Sequence, residues 1–338
     1  MENSNFNDNF YVQWHILDRC NLRCLHCYQD NFSREREPGW PQLKKAADNI
    51  LNTMATWGMK LDVAVTGGEP FLKTELLQLL KYLDSSVNVG NLSIISNGTI
   101  WPDYAHELKE LLKFQEIRIS LDGISEEINS EIRGKGVLTK VIENINRWKN
   151  LGIHVTIMFT AMKRNLHEIP FLKEFGKKLG LHAIVIERFF PLGQGEMNKK
   201  DILDGLEFLG VWQTILEQEK IEIEPEELIN YRAIRINMDE SELDILGSGC
   251  VVGKDGAAIL PDGTVLPCRR FTLSIGNIMN TSLNEIWEHS PVLYQLRDKT
   301  RLKGKCGKCT VADCWGCRAM CFCLEGDFLA EDPHCWIS

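Results

Sequence analysis

The chain has 338 residues, 44% of them apolar and 25% charged, as in a folded protein large enough to bury its core without cross-links. Its net charge of -9 and the lack of a basic stripe with interleaved aromatics argue against a nucleic-acid partner; Arg269-Arg270 and Lys303, Lys305 and Lys308 read as solvated basic clusters. No run approaches the ~18 apolar residues of a membrane span, and the polar start MENSNFNDNF is no signal peptide, so the expectation is a cytoplasmic protein with reduced thiols and no membrane partner.

After a flexible N-terminal stretch, 1–10, strand-like and helix-like segments alternate. Strands are expected at 11–17 (YVQWHIL), 61–66, 92–97, 117–123, 154–160 and 182–188. Helical spacing is expected at 41–57, 72–83, 103–112, 138–150 and 168–178. Strands separated by helices imply parallel βα units with right-handed crossovers. Six such units suit a partly open barrel better than a closed eight-stranded one. The expected fold class is therefore α/β, a partial (β/α)6 TIM-like barrel over 11–200, with chemistry at the C-terminal ends of its strands. Residues 201–244 read as an acidic, mostly helical bridge. Residues 245–338 read as a small cysteine-rich domain, helical only at 282–298 and too loop-rich to hold itself without metal.

The 12 cysteines form two groups, three within 20–27 and nine within 250–335. Clustered thiols in a reducing compartment point to metal rather than disulfides. Cys20, Cys24 and Cys27 stand in CNLRCLHCY, a C-x3-C-x2-C spacing just after the first strand. Three thiolates can hold three irons of a 4Fe–4S cube and leave the fourth open to a ligand. Zinc, with His15 or His26 as fourth ligand, is the alternative.

This motif, with Tyr28 following it, resembles the signature of the radical S-adenosylmethionine (SAM) superfamily. The resemblance implies that SAM chelates the open iron and is reductively cleaved to a 5′-deoxyadenosyl radical that takes hydrogen from a substrate. It also implies a small reductant such as flavodoxin or ferredoxin, and sensitivity to oxygen. Three further segments support it. Gly67, Gly68, Glu69 and Pro70 in TGGEP follow the second strand, where the family places the SAM amino group. Ser96 and Asn97 follow the third strand. Ser120 and Asp122 follow the fourth, where relatives contact the ribose, and Arg133 stands where an arginine meets the SAM carboxylate. Each of these residues taken singly suits a cap or turn equally well. Asn165, Glu168, Arg188 and Pro191-Leu192-Gly193 also look like parts of such barrels, without assigned roles.

In the C-terminal region, Gly263 and Cys268 form G-x4-C, and C-x2-C-x4-C-x2-C-x3-C-x-C spans 306–323. This resembles the SPASM domain, which binds two auxiliary 4Fe–4S clusters. The resemblance implies one cluster on Cys306, Cys309, Cys314 and Cys335, and another on Cys250, Cys268 and Cys317. The second has an open site unless Cys321 or Cys323 completes it; otherwise these two are small buried apolar side chains.

Oxidative modification of a peptide or protein side chain is the leading expectation, because relatives with such domains do this. The alternative is a small-molecule cofactor precursor, such as a haem-type tetrapyrrole, whose carboxylates could pair with Arg188, Arg269 and Arg270. Arg269 stands where sulfatase-maturing relatives usually carry Asp, which counts against that reaction. Only about ten residues precede the barrel, so a peptide would be recognised by the barrel mouth, the bridge or a partner. A metal-bearing redox-sensing interaction module is the non-enzymatic alternative.

Overall fold

The computed structural model describes residues 9–238 and 245–337. Most of the expected N-terminal stretch, and residues 239–244 at the end of the expected bridge, lie outside the described residues. Six strands follow one another in parallel: β1 (Asn9–His15), β2 (Lys60–Thr66), β3 (Val89–Ser96), β4 (Phe114–Ser120), β5 (His154–Ala161) and β6 (Ala183–Arg188). All six expected strands are present, each within a few residues of its expected bounds.

Both edges of this sheet are extended, which the sequence did not announce. β7 (Ala233–Asn237) pairs antiparallel with β6, and β8 (Ile245–Ser248) with β7. On the other edge, β9 (Gly256–Ile259) runs parallel to β1, and β10 (Thr264–Leu266) and β11 (Gly276–Asn277) follow antiparallel. The result is one open sheet of 11 strands. The cysteine-rich region is thus tied to the barrel by a strand ladder.

The alternation of β1 decides which side chains reach the site. Phe10, Val12 and Trp14 are buried in the core beneath the outer helices. The helix Trp40–Trp57 covers them with Leu43, Ala46, Ala47, Ile50 and Met54, a stripe at helical spacing. Tyr11, Gln13 and His15 consequently point to the other, concave face. The parallel strands all end at one rim of that face, and this rim is where the cysteine loop begins.

Several helices are shorter or more broken than their periodicity suggested. The expected helix at 72–83 is a 3-10 turn, Pro70–Leu72, followed by a helix Leu76–Asp84. Lys73 is extended between them and buried against Glu37 (3.2 Å) and Glu75 (3.0 Å). The segment at 103–112 forms only Ala105–Leu108. Pro170 keeps Lys163–Phe171 as a 3-10 helix ahead of Leu172–Leu179. Pro291 likewise divides 282–298 into Leu283–His289 and Pro291–Leu296. The helix Glu126–Arg133 was not anticipated. No described helix is long and apolar enough to cross a membrane.

Phe10 is wedged edge-on between Trp57 of the first helix and Trp287 of the C-terminal region, with ring centroids 5.3 and 4.9 Å away. Phe10→Ala should therefore cost about 3–5 kcal/mol and loosen the C-terminal region from the barrel. Chemical denaturation of wild type and variant, followed by intrinsic tryptophan fluorescence, measures this.

Candidate active site

The chain leaves β1 at His15 and enters the cysteine loop under close backbone constraint. Ile16 N–H donates to Thr66 O, Gly68 N–H to Leu17 O and Glu69 N–H to Arg19 O, at 2.9, 2.9 and 2.8 Å. A side chain at Gly67 would collide with Leu17, and one at Gly68 with the carbonyl oxygens of Asp18 and Arg19. The glycine pair therefore serves first to let the turn after β2 lie flat against the loop that carries the thiols. Opposite it, the segment after β6 grips the same loop. Gly195 N–H donates to Cys27 O (3.0 Å) and Asn198 Nδ2 to Leu25 O (2.9 Å). A side chain at Gly193, which sits at φ +55°, would collide with the backbone of Tyr28 and Gln29. Leu25 N–H donates to Ile132 O (2.8 Å).

Cys20, Cys24 and Cys27 lie half-buried on this loop and make no disulfide. Cys20 Sγ accepts from Leu22 N–H (3.4 Å) and Asn97 Nδ2 (3.6 Å), and Cys24 Sγ accepts from Arg133 Nη1 (3.7 Å). Burial raises all three thiols, Cys24 to about 11. Unliganded they stay protonated at neutral pH, whereas iron would hold them as thiolates. Three soft donors on a pinned loop, beside the donors Asn97 and Arg133, fit an iron–sulfur cluster. Buried nitrogens without partners, His26 Nδ1 and Arg133 Nε, remain nearby for a polar ligand.

Glu69 is fully buried. Its carboxylate accepts from Phe71 N–H (3.2 Å), Ser96 Oγ (2.9 Å) and Asn97 N–H (2.8 Å). Burial outweighs these bonds and lifts its pKa to about 7. Pro70 opens the 3-10 turn that Glu69 caps. Asn97 Nδ2 reaches Asn21 Oδ1 (2.8 Å), tying the end of β3 to the cysteine loop. Ser120 ends β4 and is half-buried.

Asp122 is the electrostatic centre. It is fully buried, its Oδ2 forms an ion pair with Arg133 Nη2 at 2.6 Å and lies 2.9 Å from His26 Nε2, and its Oδ1 accepts from Thr160 N–H at 2.7 Å. Burial alone would raise its pKa, but Arg133, His26 and the hydrogen bonds prevail and hold it below the usual carboxylate range. The sequence offered Arg133 as a partner for a ligand's carboxylate; here it also holds the chain's own. His26 was considered only as a zinc ligand. Its link to Asp122 spans two distant segments, and no local pattern reveals it. Asn165 Nδ2 supports Asp122 O at 2.9 Å, and Glu168 accepts from Ile124 N–H (2.7 Å) and Ser125 N–H (3.1 Å).

In the C-terminal region, Cys250 and Cys268 lie within electrostatic reach of Cys317, and burial raises Cys268 to about 11. Cys306 and Cys314 lie near Cys335 in the same sense. Cys306 Sγ accepts from Arg318 Nη2 (3.4 Å) and Asp332 N–H (3.3 Å). Cys309 caps the short helix Gly304–Lys308. Cys321 is fully buried and donates to Glu331 O (3.6 Å), while Cys323 points to Pro191 O (3.9 Å).

Residues 14–175 match the radical SAM superfamily and residues 250–315 match SPASM, an iron–sulfur cluster-binding domain. The chain belongs to the radical SAM superfamily. It is an enzyme of that class, with a SPASM domain at its C-terminal side, and 4Fe–4S clusters and SAM are its cofactors. A protein named AdoMet-dependent heme synthase from Methanosarcina barkeri is 27% identical, with 96% of this chain and 95% of that protein covered. The mycofactocin maturase MftC of Mycolicibacterium smegmatis is 25% identical, over 96% of this chain and 82% of the maturase. In fold, the chain resembles Streptococcus suis SuiB bound to S-adenosylmethionine, with a TM-score of 0.72 and 16% identity, over 97% of this chain and 77% of SuiB.

Gly68→Ala should displace the cysteine loop and leave the C-terminal thiols untouched. Iron and sulfide analysis of anaerobically reconstituted variant should then show the loss of one cluster's worth. Asp122→Asn should leave Arg133 buried without a carboxylate and cost about 3–5 kcal/mol, measured by denaturation at neutral pH. Because the folded-state pKa of Asp122 is depressed, its contribution is present above the ordinary carboxylate range. It is lost as pH falls through the folded value, so the gap between wild type and variant should close on acidification.

Proposed function

We propose that this radical SAM enzyme modifies a side chain of a haem-type tetrapyrrole precursor, with a peptide or protein side chain as the second reading. The observation that carries the proposal is the set of arginines at the barrel mouth. On sequence alone, solvation explained Arg188, Arg269 and Arg270 as well as substrate binding did. Arg188 is in fact only 4% exposed, at the end of β6, with its Nε lacking a partner. Arg269 lies over the Tyr28 ring at 4.2 Å, and its Nε is likewise buried without an acceptor. Arg270 is paired with Glu187 and lies over Phe190 at 5.2 Å. Arg188 and Arg269, each with a buried donor that has no acceptor, suit a ligand bearing carboxylates, while Arg270 is already paired.

The likeness to a haem synthase across nearly all of both chains supports the same reading. The likeness to a maturase keeps the peptide reading in view. The peptide was the first expectation from sequence, and these observations reverse the order.

Cys20, Cys24 and Cys27 would hold the cluster to which SAM binds, and together cluster and SAM supply hydrogen-atom abstraction from carbon. Glu69, Ser96, Asn97, Asp122 and Arg133 would line the SAM side. In this reading Asp122 keeps Arg133 and His26 in place, and Asn97 steadies Cys20. Cys250, Cys268 and Cys317 would hold one auxiliary cluster, and Cys306, Cys309, Cys314 and Cys335 the other. Arg232 and Arg188, which lie near Cys317 and Asp332, would offset the charge of those thiolates.

The test gives anaerobically reconstituted enzyme SAM, dithionite and either an iron porphyrin with carboxylate side chains or a short peptide. The expected result is 5′-deoxyadenosine formation coupled to a mass change in the porphyrin. A changed peptide with an unchanged porphyrin would favour the second reading.

A further inference from the structure

We infer that His15 and Arg269 form a carboxylate clamp that seats one acidic side chain of the substrate beside the N-terminal cysteines. The inference rests on the tetrapyrrole reading and assigns the residues that read its acid group.

His15 is the last residue of β1 and belongs to the set facing the concave side of the sheet. It is 2% exposed, yet its Nε2 has no hydrogen-bond partner. Its ring meets that of Tyr28 edge-on, centroids 6.0 Å apart. Tyr28 in turn carries the Arg269 guanidinium over its ring. The three side chains form one continuous group reaching from β1, across the cysteine loop, to the turn after β10.

Two contrasts mark Arg269 as the ligand-binding member of its pair. Arg270 already has a carboxylate, Glu187, whereas Arg269 makes no ion pair among the described residues. Asp18, which lies within electrostatic reach of Arg269, is taken by Arg36 at 2.9 Å. The Tyr28 ring covers one side of the guanidinium, and the Arg269 Nε–H is buried with no acceptor, a donor that a carboxylate can take as part of a two-pronged pair. Burial and the Arg269 charge both hold the His15 imidazole well below its ordinary pKa. As a neutral ring it offers Nε2–H as a further donor to the same anion. Tyr28, over whose ring Arg269 lies, directly follows Cys27, which places the clamp beside the residues that would hold the catalytic cluster.

Mesoporphyrin, which is fluorescent and carries two propionates, and its dimethyl ester are the probes. Binding is followed by fluorescence anisotropy with reconstituted enzyme and SAM under anaerobic conditions. Wild type, Arg269→Gln, Arg269→Lys and His15→Gln are compared at equal iron and sulfide content. Wild type should bind the acid roughly tenfold or more tighter than the ester, as charge-assisted bidentate bonds require. Arg269→Gln should abolish that preference, and Arg269→Lys should keep part of it. His15→Gln, which replaces the ring Nε2–H by a shorter amide, should keep only part of that preference. If Arg269→Gln prefers the acid as strongly as wild type does, the clamp is overturned while the tetrapyrrole reading stands. If wild type binds neither porphyrin, the tetrapyrrole reading fails, and the clamp fails with it.

Discussion

The whole site depends on how closely two stretches of backbone approach. Gly67 and Gly68 let the turn after β2 lie directly on the chain entering the cysteine loop, with no side chain between them. Two hydrogen bonds then fix that contact, and the segment after β6 fixes the far side of the loop through Cys27 O and Leu25 O. A loop without secondary structure of its own is thereby held by hydrogen bonds from both sides. Three thiols on a mobile loop would each lose conformational freedom on meeting iron. Here the hydrogen bonds from both sides reduce that loss.

Charge is arranged on the same frame. The one fully buried acid at the end of β4, Asp122, gathers Arg133 and His26 around Cys24. Across the mouth, Arg188 and Arg232 lie near Asp332, Arg270 pairs with Glu187, and Arg269 makes no ion pair among the described residues, its neighbour Asp18 being held by Arg36. The chain as a whole is acidic, at -9, so this local excess of cations runs against its average. Such a site draws in anions, and its field is strengthened by burial.

Much of this was legible in the sequence, and what was not has physical causes. The six parallel strands were visible because each is an apolar run bounded by turn residues. The cysteine loop was visible because its ligands are adjacent in sequence. β9 and β10 were hidden: Gly256–Ile259 is four buried residues with no alternation, and Thr264–Leu266 is too short to show a period. Breaks at Lys73 and Pro291 were missed because apolar spacing continues across them. His15 and His26 carried no local signal, since each acquires its neighbours only when β1, the cysteine loop and the later segments meet. Arginines near 188 and 269 were seen, but sequence could not say that they turn inward.

The pairing of β1 with β9 places Tyr11 opposite Gly256, a separation of most of the chain. During synthesis, the first strand must therefore wait with one edge unsatisfied until the last quarter has emerged. An unpaired edge is a template for wrong partners, and closing so long a loop is slow. The early part of the barrel should accordingly spend its youth exposed to aggregation, and its safe maturation would lean on chaperones or on swift delivery of the late strand.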